Sequence, residues 1–300
     1  MATLYTHQEQ NIWKTWFLMA TFFGLVMLIG WVVSWYYDNP SILYIAVIFS
    51  VMMNITSYWF SDKIVLKLAG ARPATREEYS DLWNIVENLS ITAGLPMPKL
   101  YIVNDPSPNA FATGRNKEHA VVAVTTGILP LLNKVELEGV IAHELSHIGN
   151  RDMLVSTVAV VLAGFVTILS DIFLRSLHFG GGRGGDRKGS GVLVIVGIVL
   201  AILAPIFAML IRLAVSRKRE SLADASGALL TRYPEGLASA LLKISASAQP
   251  MHVSKAIAHL YISDPFAKQP KTSFFAKLFM THPPVEERVA ALRGNQLTQE

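Results

Sequence analysis

The sequence predicts a mainly α-helical integral membrane protein with about four hydrophobic helices and a small β-sheet. Of its 300 residues, 52% are apolar and only 16% are charged, and the mean hydropathy is +0.39. Soluble domains carry roughly 25% charged residues, so this composition indicates a membrane protein. Long apolar runs account for the hydrophobic helices, and short β-type runs between them account for the sheet.

The first two apolar runs predict an N-terminal transmembrane hairpin over residues 1–62. They extend from about Trp16 to Trp35 and from about Ile42 to Phe60, separated by a turn at Asp38, Asn39 and Pro40. Both runs have the roughly twenty residues needed to cross a ~30 Å hydrocarbon core. A cleaved signal peptide is the alternative for the first run, but aromatic residues follow it where small residues would mark a cleavage site.

A second hydrophobic hairpin is predicted over residues 153–215. Its apolar runs, Met153–Ser170 and Val192–Leu210, are joined by the glycine-rich basic segment Phe179–Gly191. Length and apolarity favour two further membrane spans. The basic linker instead favours a buried helical hairpin, because positive charge prefers the cytoplasm. We favour four spans, and either arrangement leaves residues 63–152 and 216–300 on one side of the membrane.

The distribution of charge predicts which side that is. Four basic residues follow the second span: Lys63, Lys67, Arg72 and Arg76. The only charged residue in the turn between the first two spans is Asp38. The positive-inside rule therefore predicts a multi-pass protein of the cell (inner) membrane whose soluble parts face the cytoplasm. The net charge of +4 is modest, and its clustering beside apolar runs suits a lipid bilayer better than nucleic acid.

The two soluble parts contain predicted helices and strands. In residues 63–152, a capping box at Thr75 and Glu78 predicts a helix that ends near Gly94. Strands are predicted at Lys99–Val103, Asn109–Thr113 and His119–Thr125, and a second capping box predicts a helix from Asn133 to Asn150. In residues 216–300, helices are predicted at Arg219–Leu230, Pro234–Ser247 and Val253–Leu260 and from Pro284 after a cap at Thr281.

The predicted helix 133–150 carries a metal-binding pattern, His143-Glu144-Leu145-Ser146-His147. His143 and His147 lie one turn apart, so both rings can reach one Zn²⁺, and Glu144 can accept a proton from a zinc-bound water. A solvated polar helix face is the alternative. We favour the metal, because the surrounding residues are apolar and uncommitted charge among them is expensive. The chain has no cysteine, so His, Asp or Glu must hold the ion.

A catalytic zinc needs a third protein ligand. Asn150 and Met153 occupy the positions where a longer motif would have Gly and a third His, which excludes that class. Glu220 is a candidate ligand from a later helix, and Asp224, one turn on, is a candidate acceptor that orients a ligand histidine. On spacing alone, an ion pair of Glu220 with a neighbouring arginine remains equally open.

Four motifs in one order resemble the HtpX heat-shock membrane metalloproteases. They are the His143–His147 pattern, Glu220–Asp224, Asn109–Gly114 and Thr281–Pro284 with the trailing Glu287 and Arg288. The resemblance covers nearly the whole chain, and the CAAX prenyl proteases are more distant relatives. It implies a zincin-like (Glu-zincin) catalytic domain with one Zn²⁺, Glu220 as third ligand, and a cytoplasmic site that degrades damaged membrane proteins under stress.

Two further segments gain candidate roles. Asn109, Ala110, Phe111 and Ala112 could form an exposed strand edge that pairs with the backbone of an extended substrate, although an ordinary edge strand is an alternative. His282 could donate a hydrogen bond to the oxyanion of the tetrahedral intermediate, although packing at a helix start is equally open.

The hypothesis is a membrane-bound zinc endopeptidase that cleaves misfolded or damaged membrane proteins, with Glu144 as general base and no covalent nucleophile. Its expected partners are unfolded or membrane protein substrates and the lipid bilayer. One alternative is a selective processing protease for a membrane or lipidated peptide, which would use the same residues. A membrane scaffold with a structural zinc is another, but no fourth His or Cys is placed to close such a site.

Overall fold

The computed structural model describes residues 4–159, 161–162, 197, 217–251, 253, 255–263 and 283–294. Most of the third and fourth apolar runs and the glycine-rich linker lie outside the described residues. So do Thr281 and His282. The start of the third run is described and is helical over residues 152–159 and 161–162.

Helices α1 (Leu4–Tyr37) and α2 (Ser41–Trp59) form the predicted N-terminal hairpin around the turn at residues 38–40. Residues Glu9–Tyr37 and Ser41–Trp59 are long and apolar enough to cross a membrane, with mean hydropathies of 2.2 and 1.6. In the most apolar 18-residue stretch of each helix, only 22% and 11% of the residues are buried, whereas the core helix of a soluble protein would be mostly buried. The predicted total of four such helices is not confirmed, because the described residues contain only these two.

After the hairpin, α3 (Ser61–Leu68) and the short strand β1 (Ala71–Pro73) lead to α4 (Ser80–Ala93). Helix α4 begins later than predicted, because the Glu78 backbone N–H donates to Thr75 Oγ1 (3.3 Å) within a separate turn. The helix ends as predicted at Gly94, whose φ of 64° is a left-handed conformation that glycine adopts without steric cost.

A four-stranded mixed sheet follows, formed by β1 with β2 (Lys99–Val103), β3 (Ala110–Gly114) and β4 (Ala120–Thr125). The strand order is β1-β2-β4-β3; β2 and β4 are parallel, and the other neighbours are antiparallel. A short 3₁₀ helix, Lys117–His119, precedes β4. The three predicted strands are present with bounds within one residue, and β3 lies at one edge of the described sheet.

The sheet separates two hydrophobic clusters. One face packs against α4 and the later helices through side chains such as Ile102 and Val122. The other face packs against α3 and a 3₁₀ helix, Lys255–Leu260, through Phe111, Val121 and Tyr261. The predicted α-helix over 253–260 is therefore a shorter 3₁₀ helix.

Helix α6 (Lys134–Asn150), which follows the short α5 (Ile128–Leu131), is the centre of the soluble fold. The predicted capping box is formed: the Glu136 backbone N–H donates to Asn133 Oδ1 (3.0 Å), and the Asn133 N–H donates to Glu136 Oε2 (2.9 Å). Helix α6 packs against α4, β3, α7 (Arg217–Thr231) and α8 (Pro234–Ser247), and α9 (Val285–Leu292) packs on α8. A helix surrounded in this way is held in position from several sides.

Close packing of α6 against α8 depends on Gly139, and this predicts the effect of a methyl group there. A Cβ at Gly139 would lie 2.6 Å from Leu237 N, so Gly139→Ala forces the two backbones apart. We expect a loss of about 1–3 kcal/mol in the free energy of unfolding. Gly149→Ala in the same helix is the control, because its Cβ would meet only Leu95 Cδ1 at 3.9 Å. Thermal unfolding in detergent measures both; equal melting temperatures would contradict this packing.

Candidate metal centre

His143 and His147 stack one turn apart on α6 at the buried centre of the fold. Their ring centroids are 4.7 Å apart with perpendicular planes, and their Nε2 atoms are separated by 3.2 Å. Two ring nitrogens aimed at one point are the arrangement that a shared metal ion requires.

Glu220 on α7 completes the group. Its Oε1 lies 3.4 Å from His147 Nε2, and its Oε2 lies 3.8 Å from His143 Nε2. Two ligand atoms about 2.0–2.1 Å from a tetrahedral Zn²⁺ are separated by roughly 3.3–3.4 Å, so these distances fit such an ion with little movement. Among the described residues, this is the one group of three or more His, Cys, Asp or Glu side chains close enough to hold a metal.

The approach of α7 to α6 is set by Gly227. Glu220, Asp224 and Gly227 occupy one face of α7, because they are four and then three residues apart. A Cβ at Gly227 would lie 2.9 Å from His143 N and 3.1 Å from His143 Cα. The absence of a side chain therefore brings the two carboxylates up to the histidines.

Asp224 faces the other side of the His143 ring. Its Oδ1 lies 2.9 Å from His143 Nδ1, a hydrogen-bonding distance, although the ring is not aligned for a formed bond. Arg288 on α9 donates to both oxygens of Asp224, at 2.8 Å from Nε and 2.6 Å from Nη2. Burial disfavours the charged carboxylate, but His143 and Arg288 lower the pKa of Asp224 to about 2. Sequence reasoning noted Arg288 in a motif but gave it no role.

Asp152 faces His147 in the corresponding way, and sequence reasoning missed it. His147 Nδ1 lies 3.2 Å from Asp152 Oδ2. Helix α6 ends at Asn150, and the left-handed φ of 58° at the next residue, Arg151, turns the chain so that Asp152 points back at the ring. A carboxylate five residues after a histidine is a weak signal, because this turn by a non-glycine residue is not visible in the sequence.

The electrostatics of the site favour a cation between these groups. Burial disfavours a charged imidazole, yet Asp152 and Glu220 raise the pKa of His147 well above its ordinary value. Burial lowers the pKa of His143, which keeps that ring neutral and able to ligate. The donor set, the distances and the local charge therefore all fit a bound divalent metal.

Glu144 is buried beside the two histidines. Burial raises the pKa of its carboxyl to about 7, and the charge of Glu220 acts in the same direction. The backbone N–H of Ala112 on β3 hydrogen-bonds the carboxylate and favours its ionised form. A carboxyl with a pKa near neutrality is suited to accept and return a proton.

The outer edge of β3, predicted to pair with an extended substrate, is only partly open. The Thr125 N–H donates to Asn109 O (2.9 Å), so the backbone polar groups of Ala110, Ala112 and Gly114 point away from β4. The carbonyl of Ala110 already accepts from the Ile262 N–H (2.9 Å). A cleft beside the candidate metal site is lined by Glu144, His147 and Glu220. Of the four predicted substrate-binding residues, only Ala112 lines this cleft.

The other three predicted substrate-binding residues have internal contacts. The Asn109 side chain pairs with the backbone of Ser263, donating to its carbonyl (2.9 Å) and accepting from its N–H (3.2 Å). Phe111 lies on the opposite face of the sheet, 4.9 Å from the Tyr261 ring. His259, to which the sequence analysis gave no role, also lines the cleft, together with Glu144, His147 and Glu220.

The chain is similar to proteins of one peptidase family over most of its length. The family described as Peptidase family M48 matches residues 76–296. A Protease HtpX homolog of Thermoanaerobacter pseudethanolicus is 47% identical over 298 residues, covering 97% of this chain and 98% of that protein. The Streptococcus gordonii homolog is 46% identical over 299 residues, covering 97% and 99%. The resemblance predicted from the motifs is confirmed.

A solved structure is similar in fold. The crystal structure of S. mikatae Ste24p matches with a TM-score of 0.51 and 17% identity, covering 96% of this chain and 67% of that one. At this level of identity the likeness concerns the fold alone.

The raised pKa of Glu144 predicts a pH-dependent stability in the metal-free protein. Its pKa is about 7 in the folded protein against an ordinary 4.5, so ionising Glu144 lowers the free energy of unfolding. This loss is absent below about pH 4.5 and complete above about pH 7. Glu144→Gln removes that loss. We expect the zinc-free variant to exceed the wild type by on the order of 3 kcal/mol at pH 8 and by under ~1 kcal/mol at pH 5. Urea unfolding at both pH values measures this; an equal difference at both would contradict it.

Proposed function

The chain belongs to peptidase family M48, and from this membership we propose that it is a membrane zinc endopeptidase that cleaves misfolded or damaged membrane proteins. That it is a membrane-associated metalloprotease follows from the family and its HtpX relatives. The observation that carries the proposed mechanism is the convergence of His143, His147 and Glu220 from two helices onto one point.

His143 Nε2, His147 Nε2 and a carboxylate oxygen of Glu220 are the proposed zinc ligands. A bound Zn²⁺ supplies Lewis acidity, which polarises the scissile carbonyl and acidifies water. Three protein ligands, with no fourth among the described residues, are typical of a catalytic site that keeps one position open. This supports an enzyme over a scaffold with a structural zinc.

Asp224 and Asp152 are proposed to hold the two ligand rings. Each carboxylate faces the Nδ1 atom of one histidine, so the Nε2 atom is the one left for the metal. Such outer partners fix the tautomer and the direction of the ring. Arg288 in turn holds the Asp224 carboxylate in position through two hydrogen bonds.

Glu144 is the proposed general base. It accepts a proton from the attacking water and later delivers it to the leaving amine. Its burial beside the ligands keeps bulk water away and, in the metal-free protein, raises the pKa of its carboxyl to about 7, so the carboxyl is not restricted to its ionised form. His282 remains a proposed hydrogen-bond donor to the oxyanion, on the resemblance alone.

The substrate is proposed to bind through its backbone. The carbonyl of Ala112 and the backbone polar groups of Gly114 point outward at the edge of β3, where an extended peptide can add as a further strand. Every peptide carries these backbone groups, whatever its side chains, so pairing through them supports broad digestion of unfolded chains over selective processing of one peptide.

The catalytic proposal predicts that Glu144→Gln separates metal binding from cleavage. The variant keeps all three ligands, so it should retain one zinc per chain while cleavage of unfolded casein falls by at least about a thousandfold. Glu220→Ala should instead lose zinc and activity together. Glu235→Gln, at an exposed ion pair with Arg293, is the control for loss of a carboxylate and should retain both. Wild-type cleavage by Glu144→Gln would refute the mechanism.

Membrane orientation gives a separate prediction. The proposal places the turn after α1 outside the cell membrane and the start of α6 in the cytoplasm. Because the chain has no cysteine, Pro40→Cys and Lys134→Cys each introduce one exposed thiol. In intact cells, a membrane-impermeant maleimide should label the first variant at once and the second only after permeabilisation. Rapid labelling of Lys134→Cys in intact cells would reverse the orientation.

A further inference from the structure

The first membrane helix carries a narrow buried face that reaches the metal centre. Asn11, Thr15, Leu18 and Phe22 are buried on α1 and are spaced four, three and four residues apart along one stripe. Leu18 packs with Val155 and Ala159, which belong to the helical segment that follows α6. Phe22 packs with the same segment, in a cluster with Leu154, Val158 and Leu162. The stripe thus packs α1 against residues 152–159 and 161–162.

Asn11 is the end of the stripe closest to the soluble domain, and it has polar partners. Its side-chain amide donates to Asp152 Oδ1 (2.7 Å) and lies 3.2 Å from the carbonyl oxygen of Asn150. Only 3% of Asn11 is exposed. A buried amide is expensive without partners, so this pairing is a specific contact and not a chance surface encounter.

Asp152 divides its two oxygens between different partners. Oδ1 faces Asn11 and, at 3.6 Å, Arg219 Nε. Oδ2 faces His147 Nδ1 at 3.2 Å. Because Asn11 holds the first oxygen, the carboxylate plane is fixed with the second oxygen toward the imidazole.

We propose that Asn11, in the first membrane helix, is a positioning residue for the metal ligand His147, acting through Asp152. The chain of contacts runs from the membrane helix to the carboxylate, then to the ring, then to the metal position. Loss of the amide leaves Oδ1 to Arg219, and the carboxylate can then turn toward the guanidinium and away from His147. The packing of α1 against the segment after α6 thereby affects the affinity of the site for the metal.

This inference rests on the proposed role of His147 as a zinc ligand. Its competitor is a purely structural role, in which Asn11 only fastens α1 to the soluble domain. A structural role predicts lower stability of the zinc-free protein with unchanged zinc affinity. A positioning role predicts a change in affinity and in the geometry of the bound metal.

The experiment compares Asn11→Leu with Thr15→Val in the full chain in detergent. Leucine has the shape of asparagine without its hydrogen bonds. Thr15 is buried one turn along the same stripe, and its hydroxyl donates only to Asn11 O within the helix (2.9 Å), so it controls for loss of a buried polar group. Zinc affinity is measured by competition with a chromophoric chelator, Co²⁺ absorption reports ligand geometry, and zinc-free unfolding reports stability.

We expect Asn11→Leu to weaken zinc binding up to roughly tenfold and to change the Co²⁺ spectrum, because weakening the Asp152–His147 contact loses part of the ten- to hundredfold that a direct outer partner of a ligand typically contributes. Thr15→Val should bind zinc as the wild type does. Equal zinc affinity and Co²⁺ spectra in Asn11→Leu and wild type would overturn the inference. If the wild type binds zinc no more tightly than His147→Ala, the proposed function itself fails, which is a separate result.

A reciprocal exchange keeps the inference testable if Asn11→Leu does not fold. Asn11→Asp places two carboxylates together, whereas Asn11→Asp with Asp152→Asn restores one amide and one carboxylate at the same contact. Zinc affinity should fall in each single variant and recover at least about threefold beyond additivity in the pair, the sign of direct coupling. Additive losses would show that Asn11 and Asp152 act independently and would overturn the inference.

Discussion

The close contact between α6 and α7 is the constraint on which the catalytic half of the molecule depends. At Gly227 the two helices approach so closely that a single methyl group would collide with the backbone of His143. This approach brings Glu220 within 3.4–3.8 Å of the two imidazoles, and it places Asp224 2.9 Å from Nδ1 of the His143 ring. Helical periodicity places His143 and His147 on one face of α6 and Glu220 and Asp224 on one face of α7, because residues one turn apart share a face.

The same contact creates an electrostatic difficulty, since it buries several ionisable groups together. Buried charge is tolerated only where it is paired and hydrogen-bonded. Arg288 neutralises Asp224 from α9, and Arg219 and Asn11 contact Asp152. Residues far apart in the chain, from Asn11 on α1 to Arg288 on α9, thus meet around one small centre.

Local features were predictable from the sequence, and contacts made across the fold were not. The α6 capping box, the end of α4 at Gly94 and the spacing of His143 and His147 depend on neighbouring residues, so their patterns are visible in the chain. The role of Asp152 depends on a left-handed turn at Arg151, and the cover over the Ala110 carbonyl depends on Ile262, distant in sequence. Glu220 lies between these cases, because its spacing from Asp224 was visible but its distance from the histidines required the packing of α7.

X-ray absorption at the zinc edge, on the purified full chain, shows which side chains hold the metal. Ligation by His143, His147 and Glu220 predicts two imidazoles, counted from their multiple scattering, at about 2.0–2.1 Å, with oxygen ligands at about 2.0–2.2 Å. It also predicts that His143→Ala lowers the imidazole count by one or abolishes zinc binding. A site with three or more imidazoles, or a spectrum that His143→Ala leaves unchanged, would contradict it.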